Sequence, residues 1–366
     1  MLLYSWGANS YGQLGLGYKS EEEIVPKEVP LDNSDLNADE IVSIAGGAGH
    51  TLILNNKGQV YCCGWNKMGQ LGSFEDTLKF TQIEILNGFK IVHISCGWDF
   101  SAAVSECGKQ FVWGNNNFTQ LGLSKSITCT GIPSRLQVSQ KLATGFQKVS
   151  CGLRHSAIIT KDKELLMTGS GKNGQLGLGD NYDDDNYLSI SKVPNLVDVI
   201  SVASGENHTV CLKEDGTVLT WGENKFGQLG LNPNVDKSFV PVEVFSGVNL
   251  KEVYAGWTHS AVLTTSGHLL NWGRNSYGQL GSSRVSPFQP VRVPNLPEIE
   301  HFSAGSEHNL ALTKDNKLFA WGWNEHGSCG TGDKKDVLSP TQIMSDFKVK
   351  IAFACTGSSF AVLELL

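Results

Sequence analysis

One short phrase, Gly-x-x-His, sets an imidazole at regular intervals along the chain: "GAGH" ending at His50, "GLRH" at His155, "GENH" at His208, "GWTH" at His259 and "GSEH" at His308. Neutral imidazoles ligate metals and shuttle protons near neutral pH, so the set invites a reading as a metal centre or an acid–base array. Recurrence argues against it. A residue that returns at one slot of a repeated unit serves the unit, and units strung along a chain hold their histidines too far apart to share an ion. We read each as a buried imidazole hydrogen-bonded to nearby backbone, with no metal and no cofactor. The residues between glycine and histidine differ from copy to copy: Trp98 and Asp99 in the degenerate copy "GWDF" ending at Phe100, then Leu153 and Arg154, Glu206 and Asn207, Trp257 and Thr258, Ser306 and Glu307. Unequal side chains on equivalent corners suit a face that reads an asymmetric partner, and large aromatics there make natural anchors. Trp98, Asp99, Arg154, Glu206, Asn207, Trp257, Thr258, His259 and Glu307 form the candidate partner-binding set. None of them belongs to a covalent catalyst.

Other motifs carry less. "GSGKNG" from Gly169 spells G-x-G-x-x-G, but no βαβ unit surrounds it and its glycines fill regular slots of a second repeated phrase. "DNYDDDN" from Asp180 to Asn186 clusters carboxylates without the glycine and terminal glutamate of a calcium loop, and reads as a solvated loop. The nine cysteines show no C-x-x-C pair; Cys96 and Cys151 precede a repeat glycine where other copies have Ser204, Ala255 and Ala304, and read as small core fillers of a reducing compartment. With 36 acidic and 29 basic residues and no basic block, the chain favours protein partners over nucleic acid. No apolar run is long enough to span a membrane and no leader-like segment opens the chain, so no membrane insertion and an intracellular setting are expected.

The elements that must position these corners follow from the second phrase, typified by "WGANSYGQLG" from Trp6. Its glycine recurs at Gly7, Gly64, Gly114, Gly169, Gly222, Gly273 and Gly322, at intervals of 57, 50, 55, 53, 51 and 49 residues. Between the two phrases run alternating apolar segments around a turn, as in "HTLILNNKGQVYCCG" from His50, the pattern of a β-hairpin. Gly58, Gly108, Gly216 and Gly267 fill one turn slot, which Lys163 and Asn316 take in two copies whose turns are expected to differ slightly. A further strand beginning near Pro26, Pro133, Pro241, Pro290 or Pro340 belongs at a sheet margin, because proline cannot donate to a ladder. Four strands per unit of roughly 50 residues, with no helical periodicity, predict an all-β, seven-bladed β-propeller spanning residues 1–366 as one domain. The chain opens with half a unit and ends with the complementary half, "FAVLELL", preceded by a degenerate corner copy "GSSF" ending at Phe360. "LLYSW" is therefore expected to pair with the C-terminal strand and close the ring. Trp6, Trp113, Trp221, Trp272 and Trp321 should fill equivalent core sites, with Leu14, Leu71, Leu121, Leu176, Leu229 and Leu280 between blades. Trp65 and Trp323, outside this pattern, are assigned to loop packing.

Two interleaved phrases in register over the whole chain resemble the repeats of the regulator of chromosome condensation family. The resemblance implies a seven-bladed propeller closed by both termini and, in several members, guanine nucleotide exchange on a small GTPase. "CGWDF", "CGLRH", "GWTH", "GSEHNLA" and "WGWNEHG" are similar to a branch of exchange factors that regulate secretion. That likeness implies a small GTPase and an exocyst component as partners, in cytoplasm and nucleus, with the chain acting as a monomer. The alternative is a propeller scaffold that binds a GTPase or exocyst component without exchange activity. Unlike the founding chromatin member, this sequence leads straight into a strand without a basic arm and leaves little room for an inserted wedge. Both differences argue against chromatin binding and against Ran as the GTPase. A light-sensing member of the same repeat type needs arginines flanking its corner tryptophans, where this chain has Asp99 and Thr258.

Overall fold

The computed structural model describes residues 1–31, 35–73, 75–179, 190–247, 249–282 and 288–364. Alternating apolar segments become seven antiparallel four-stranded sheets. Blade 4 is typical: β15 (Val199–Ser204), β16 (His208–Lys213), β17 (Val218–Glu223) and β18 (Lys237–Phe245) pair in sequence order. Blades 1, 2, 3, 5 and 6 occupy residues 41–82, 91–135, 146–192, 250–292 and 299–343 in the same way. Blade 7 joins both ends of the chain, in the order β2 (Glu22–Glu28), β1 (Leu2–Ala8), β28 (Ser358–Glu364), β27 (Lys348–Ala354). Leu2 pairs with Leu363 and Gly7 with Ser358, so backbone hydrogen bonds close the ring. The proline-bearing strands lie outermost, where a missing N–H leaves no ladder bond unmade. Lys163 and Asn316 adopt φ of 57° and 63° where the turn glycines have 81–83°; all lie in the left-handed region, so the turns are of one kind despite the substitutions.

The five predicted tryptophans are fully buried, and their ring nitrogens show what joins blade to blade. Trp272 Nε1 of blade 5 donates to the Gln228 carbonyl of blade 4 at 2.9 Å, and Ser260 Oγ donates to the same oxygen at 2.7 Å. His208 of blade 4 reaches Ser260 Oγ through Nε2 at 2.9 Å. Because the serine proton is committed to Gln228, the imidazole must donate, which fixes its Nε2–H tautomer and leaves Nδ1 buried and bare. The same latch links His50, Ser101, Gln70 and Trp113. It returns with Thr209 for His155, with Asn309 for His259 and with Ser359 for His308. The histidines are thus buried, as expected, but their partners are side chains of the next blade and not nearby backbone. Packing each blade on the next is what brings residues about 50 apart into that contact.

At the two other junctions both ends of the latch change together. Phe100 of blade 2 replaces the imidazole where blade 3 has Thr168 for the tryptophan, and Ser358 of blade 7 replaces it where blade 1 has Cys63. Ser156 and Thr51 still donate to the Gln120 and Gln13 carbonyls. Register corrects the sequence reading here: Ser358 pairs with Gly7 as His208 pairs with Gly222, so the degenerate corner is Cys355 to Ser358 and not "GSSF" ending at Phe360. Steric room explains the shift. A Cβ on Gly205 would lie 2.2 Å from the His208 ring, so a histidine demands glycine three residues earlier, whereas small Ser358 lets Cys355 stand in that slot. Gly46 of blade 1, without a Cβ, receives the cysteine side chain.

Burial pushes the imidazoles of His50, His155, His208 and His308 down to about 3. An unfolded imidazole titrates near 6.5, so between about pH 6.5 and pH 3 the unfolded chain binds protons that the folded chain refuses. This contribution to stability is complete above that window and is lost as pH falls through it. Each imidazole contributes a slope of about 1.4 kcal/mol per pH unit below its unfolded value. Urea midpoints should therefore fall steeply between about pH 7 and pH 5.5; a flat profile would contradict the neutral latch.

Candidate functional site

Within each antiparallel blade, the link from first to second strand and the link from third to fourth leave the sheet at the same end. The Gly-x-x-His corners and the Gly-Gln-Leu-Gly loops consequently share one face of the ring. On it, Trp98 of blade 2 and Trp257 of blade 5 extend toward each other across the axis, with ring centroids 5.3 Å apart and planes tilted by 41°. Trp98 keeps 38% of its surface exposed and Trp257 is half-buried. Both corners are held by backbone: Ala48 N–H donates to the Trp98 carbonyl at 2.9 Å, Glu206 N–H to the Trp257 carbonyl at 3.2 Å, and Trp257 N–H to the Ser306 carbonyl at 2.7 Å. The tryptophans meet over the mouth of the axial channel, whose adjoining segment encloses about 100 Å³ and is lined by Cys96, Cys151, Ser204 and the repeat glycines. Burial pushes the Cys151 thiol up to about 12 and the Cys96 thiol well above its usual range, which makes both unreactive fillers.

A polar network surrounds the aromatic pair. Asp99 accepts from Asn115 Nδ2 at 2.7 Å; burial raises its pKa, opposed by that hydrogen bond and by the Arg154 charge. Arg154 is exposed and stacks over Phe118 at 4.5 Å. Burial also raises the pKa of Glu206, helped by the neighbouring carboxylates Glu223 and Glu307 and opposed by Arg154 and Arg274. Arg274 lies over Phe226 at 4.8 Å and over Tyr277 at 4.7 Å. Asn207 is half-buried on the same corner as Glu206. The structure thus brings Trp98, Asp99, Arg154, Glu206, Asn207 and Trp257 to one accessible face. Thr258, His259 and Glu307 go elsewhere: they are 3%, 0% and 6% exposed, beneath the corners. Glu307 turns inward to accept from Thr258 Oγ1 at 2.5 Å and from Gln279 Nε2 at 2.6 Å, with His259 Nδ1 3.8 Å away. These three brace the corner that carries Trp257 from below and offer a partner no surface.

Sequence reasoning missed Arg274, Glu223, Phe118 and Phe226. Their signal was available: they occupy slots of the Trp-Gly phrase that vary between copies, as the corner residues do. Trp65 stacks on Tyr11 at 5.1 Å, and Trp323 packs against Tyr277 and His326, which makes both loop-packing residues. After Gly169, "GSGKNG" forms turns with no helix following among the described residues, where no group of potential metal ligands gathers either. The run Asp180 to Asn186 lies outside the described residues. No described helix is long and apolar enough to cross a membrane.

The family model for the RCC1-like domain matches residues 2–363. The chain belongs to the RCC1-like domain family. This RCC1-like chain is 34% identical over 307 residues to the secretion-regulating guanine nucleotide exchange factor of Mus musculus, covering 78% of this chain and 62% of that protein. It is 33% identical over 304 residues to the ultraviolet-B receptor UVR8 of Arabidopsis thaliana, covering 80% and 66%. It therefore spans somewhat less than two thirds of the length of these curated relatives. Prp20p of Saccharomyces cerevisiae, whose reported structure treats its binding to Gsp1p and histones, superposes with a TM-score of 0.87 at 24% identity, over 100% of this chain and 92% of that one. Human WBSCR16 superposes with a TM-score of 0.85 at 25% identity over the full length of both. RCC1-like propellers thus serve differently named proteins on one frame, and function must be argued from the face.

Proposed function

We propose that the face bearing Trp98 and Trp257 binds a small GTPase and accelerates release of its guanine nucleotide. The observation that carries this reading is the meeting of two corner tryptophans from blades 2 and 5 beside the neighbouring charges of Asp99, Arg154 and Glu206, on the frame of a family with a named exchange factor among its members. Exchange needs no covalent chemistry. A protein that binds the nucleotide-free GTPase more tightly than the loaded form weakens nucleotide affinity by the same factor. Accelerating release by about 10⁴ needs roughly 5.4 kcal/mol of differential stabilisation, within reach of a few anchors on a standard interface. Trp98 and Trp257 supply the anchors, and Asp99 or Glu206 supplies a carboxylate to compete for the phosphate-binding lysine of the GTPase. The name of the mammalian relative extends the proposal to secretion; we further propose, from the likeness drawn in the sequence, an exocyst component as a second partner and action in cytoplasm and nucleus.

The test is release of fluorescent GDP from a panel of purified GTPases with and without this protein. Acceleration on at least one member, lost in Asp99→Ala, supports exchange. Capture of a GTPase with unchanged release makes the chain a scaffold, and no interaction with any member of the panel counts against both readings.

A further inference from the structure

Below the channel segment capped by Trp98 and Trp257, and sharing Cys151, Ser204, Ala255 and Ala304 with it, the axis widens into a chamber of about 290 Å³, lined by the first strands of blades 2 to 6. Its wall is polarised. On the side of blades 2 and 3, Ser95 Oγ accepts from Cys151 N–H at 3.0 Å and Ser150 Oγ accepts from Ser204 N–H at 2.9 Å. Each hydroxyl thereby engages one lone pair with the next blade; the O–H of Ser150 is left for the chamber, while that of Ser95 reaches either the chamber or the Cys151 thiol. His93, on the same side, has a buried Nδ1 with no partner. Lys148, on the same strand as Ser150 though not itself part of the lining, brings an ammonium group toward the chamber's Glu252. On the side of blade 5, Glu252 faces it with Oε1 3.9 Å from Lys148 Nζ, while Oε2 accepts from Tyr254 O–H at 3.0 Å. The two charged side chains keep 39% and 41% of their surface accessible, so water reaches them and a ligand can as well.

One wall thus offers donors and a positive charge, the other a carboxylate. A simple anion entering the chamber meets Glu252, and a simple cation meets Lys148; a molecule carrying both charges satisfies each wall and leaves neither charge unpaired. Burial holds His93 down to about 4, so its ring is neutral at pH 7 and adds no second positive charge beside Lys148. We propose that this chamber binds a small zwitterion of amino-acid size, with its carboxylate toward Ser95, Ser150 and Lys148 and its ammonium group toward Glu252. The site is distinct from the partner face and does not depend on exchange activity.

The test is calorimetric titration of the full chain with glycine, L-alanine and L-serine, against acetate and methylammonium as singly charged comparators. Saturable binding of at least one zwitterion, with neither comparator bound, is the expected result. Lys148→Met and Glu252→Gln should each weaken that binding by about tenfold or more, and Glu252→Gln should admit acetate in exchange. Ser95→Ala, a milder change, should weaken it by about threefold and covers the case in which a charge variant fails to fold. The proposal is overturned if none of the three zwitterions binds, if variants with native melting temperature bind them as the parent does, or if acetate binds the parent equally well.

Discussion

Trp272→Ala lowers the unfolding free energy by about 4 kcal/mol, the range for deleting a fully buried indole. The ring is 0% exposed and packs between blades 4 and 5 against Val210, Leu212, Val218, Val253 and Val262, with Phe245 edge-on at 6.3 Å. A cavity between two sheets cannot collapse readily, because each blade is pinned in register by its own ladder. Trp272→Phe keeps much of the volume and should cost about 1–2 kcal/mol, since the Gln228 carbonyl retains its bond from Ser260. Gly205→Ala attacks the same latch from its other end, because the new Cβ would lie within 2.4 Å of two atoms of the His208 ring. Thr168→Trp gives the converse check. Introducing the common residue where Phe100 already fills the junction should destabilise by overpacking. Denaturant unfolding of the four variants measures these effects, and a stabilising Thr168→Trp would show that the two ends of the latch are independent.

The double change Trp98→Ala with Trp257→Ala should weaken capture of the cognate GTPase by at least about 100-fold, with nucleotide release reduced in parallel. The two rings touch, so the single changes should not add: removing either strips its partner of a packing surface. Trp98 is more than one third exposed and outside the core clusters, so Trp98→Ala should leave the melting temperature within about 2 °C of the parent. Unaltered capture by the folded double variant would remove the face from the proposed function. Glu307→Gln separates the corner from what braces it: losing the carboxylate that accepts from Thr258 and Gln279 should loosen Trp257 without removing it. A smaller loss of affinity, accompanied by a change in near-ultraviolet circular dichroism from the tryptophan pair, is the expected signature.

Blade architecture was legible in the chain because every blade solves one packing problem with the same residues. The alternation around Gly58 or Gly216, the proline at four of the seven margins and the half-units at the two ends are enough to mark hairpins, outer strands and a closed ring. Errors came where one copy departs from the others. "GSSF" lies two residues out of register with the other corners because its glycine is not the repeat glycine, and only pairing with Gly7 shows that Cys355 holds that slot. The corner set was half legible for a related reason. Variation among copies marks residues released from building the blade, but it does not say which way a released side chain turns. Trp98 turned outward and Glu307 inward, because Gln279 and Thr258, 28 and 49 residues away, offered the carboxylate its donors.

By itself the sequence determined the number of blades, their strand order, the closure and the buried tryptophans, since these follow from periodicity and local turn chemistry within each unit of roughly 50 residues. Only the tertiary structure decided that each of the five corner histidines serves the next blade, that tryptophans from blades 2 and 5 meet on the axis, and that the channel beneath them carries opposite charges on opposite walls. Such facts depend on the curvature of the closed ring, which brings together residues that no spacing along the chain relates.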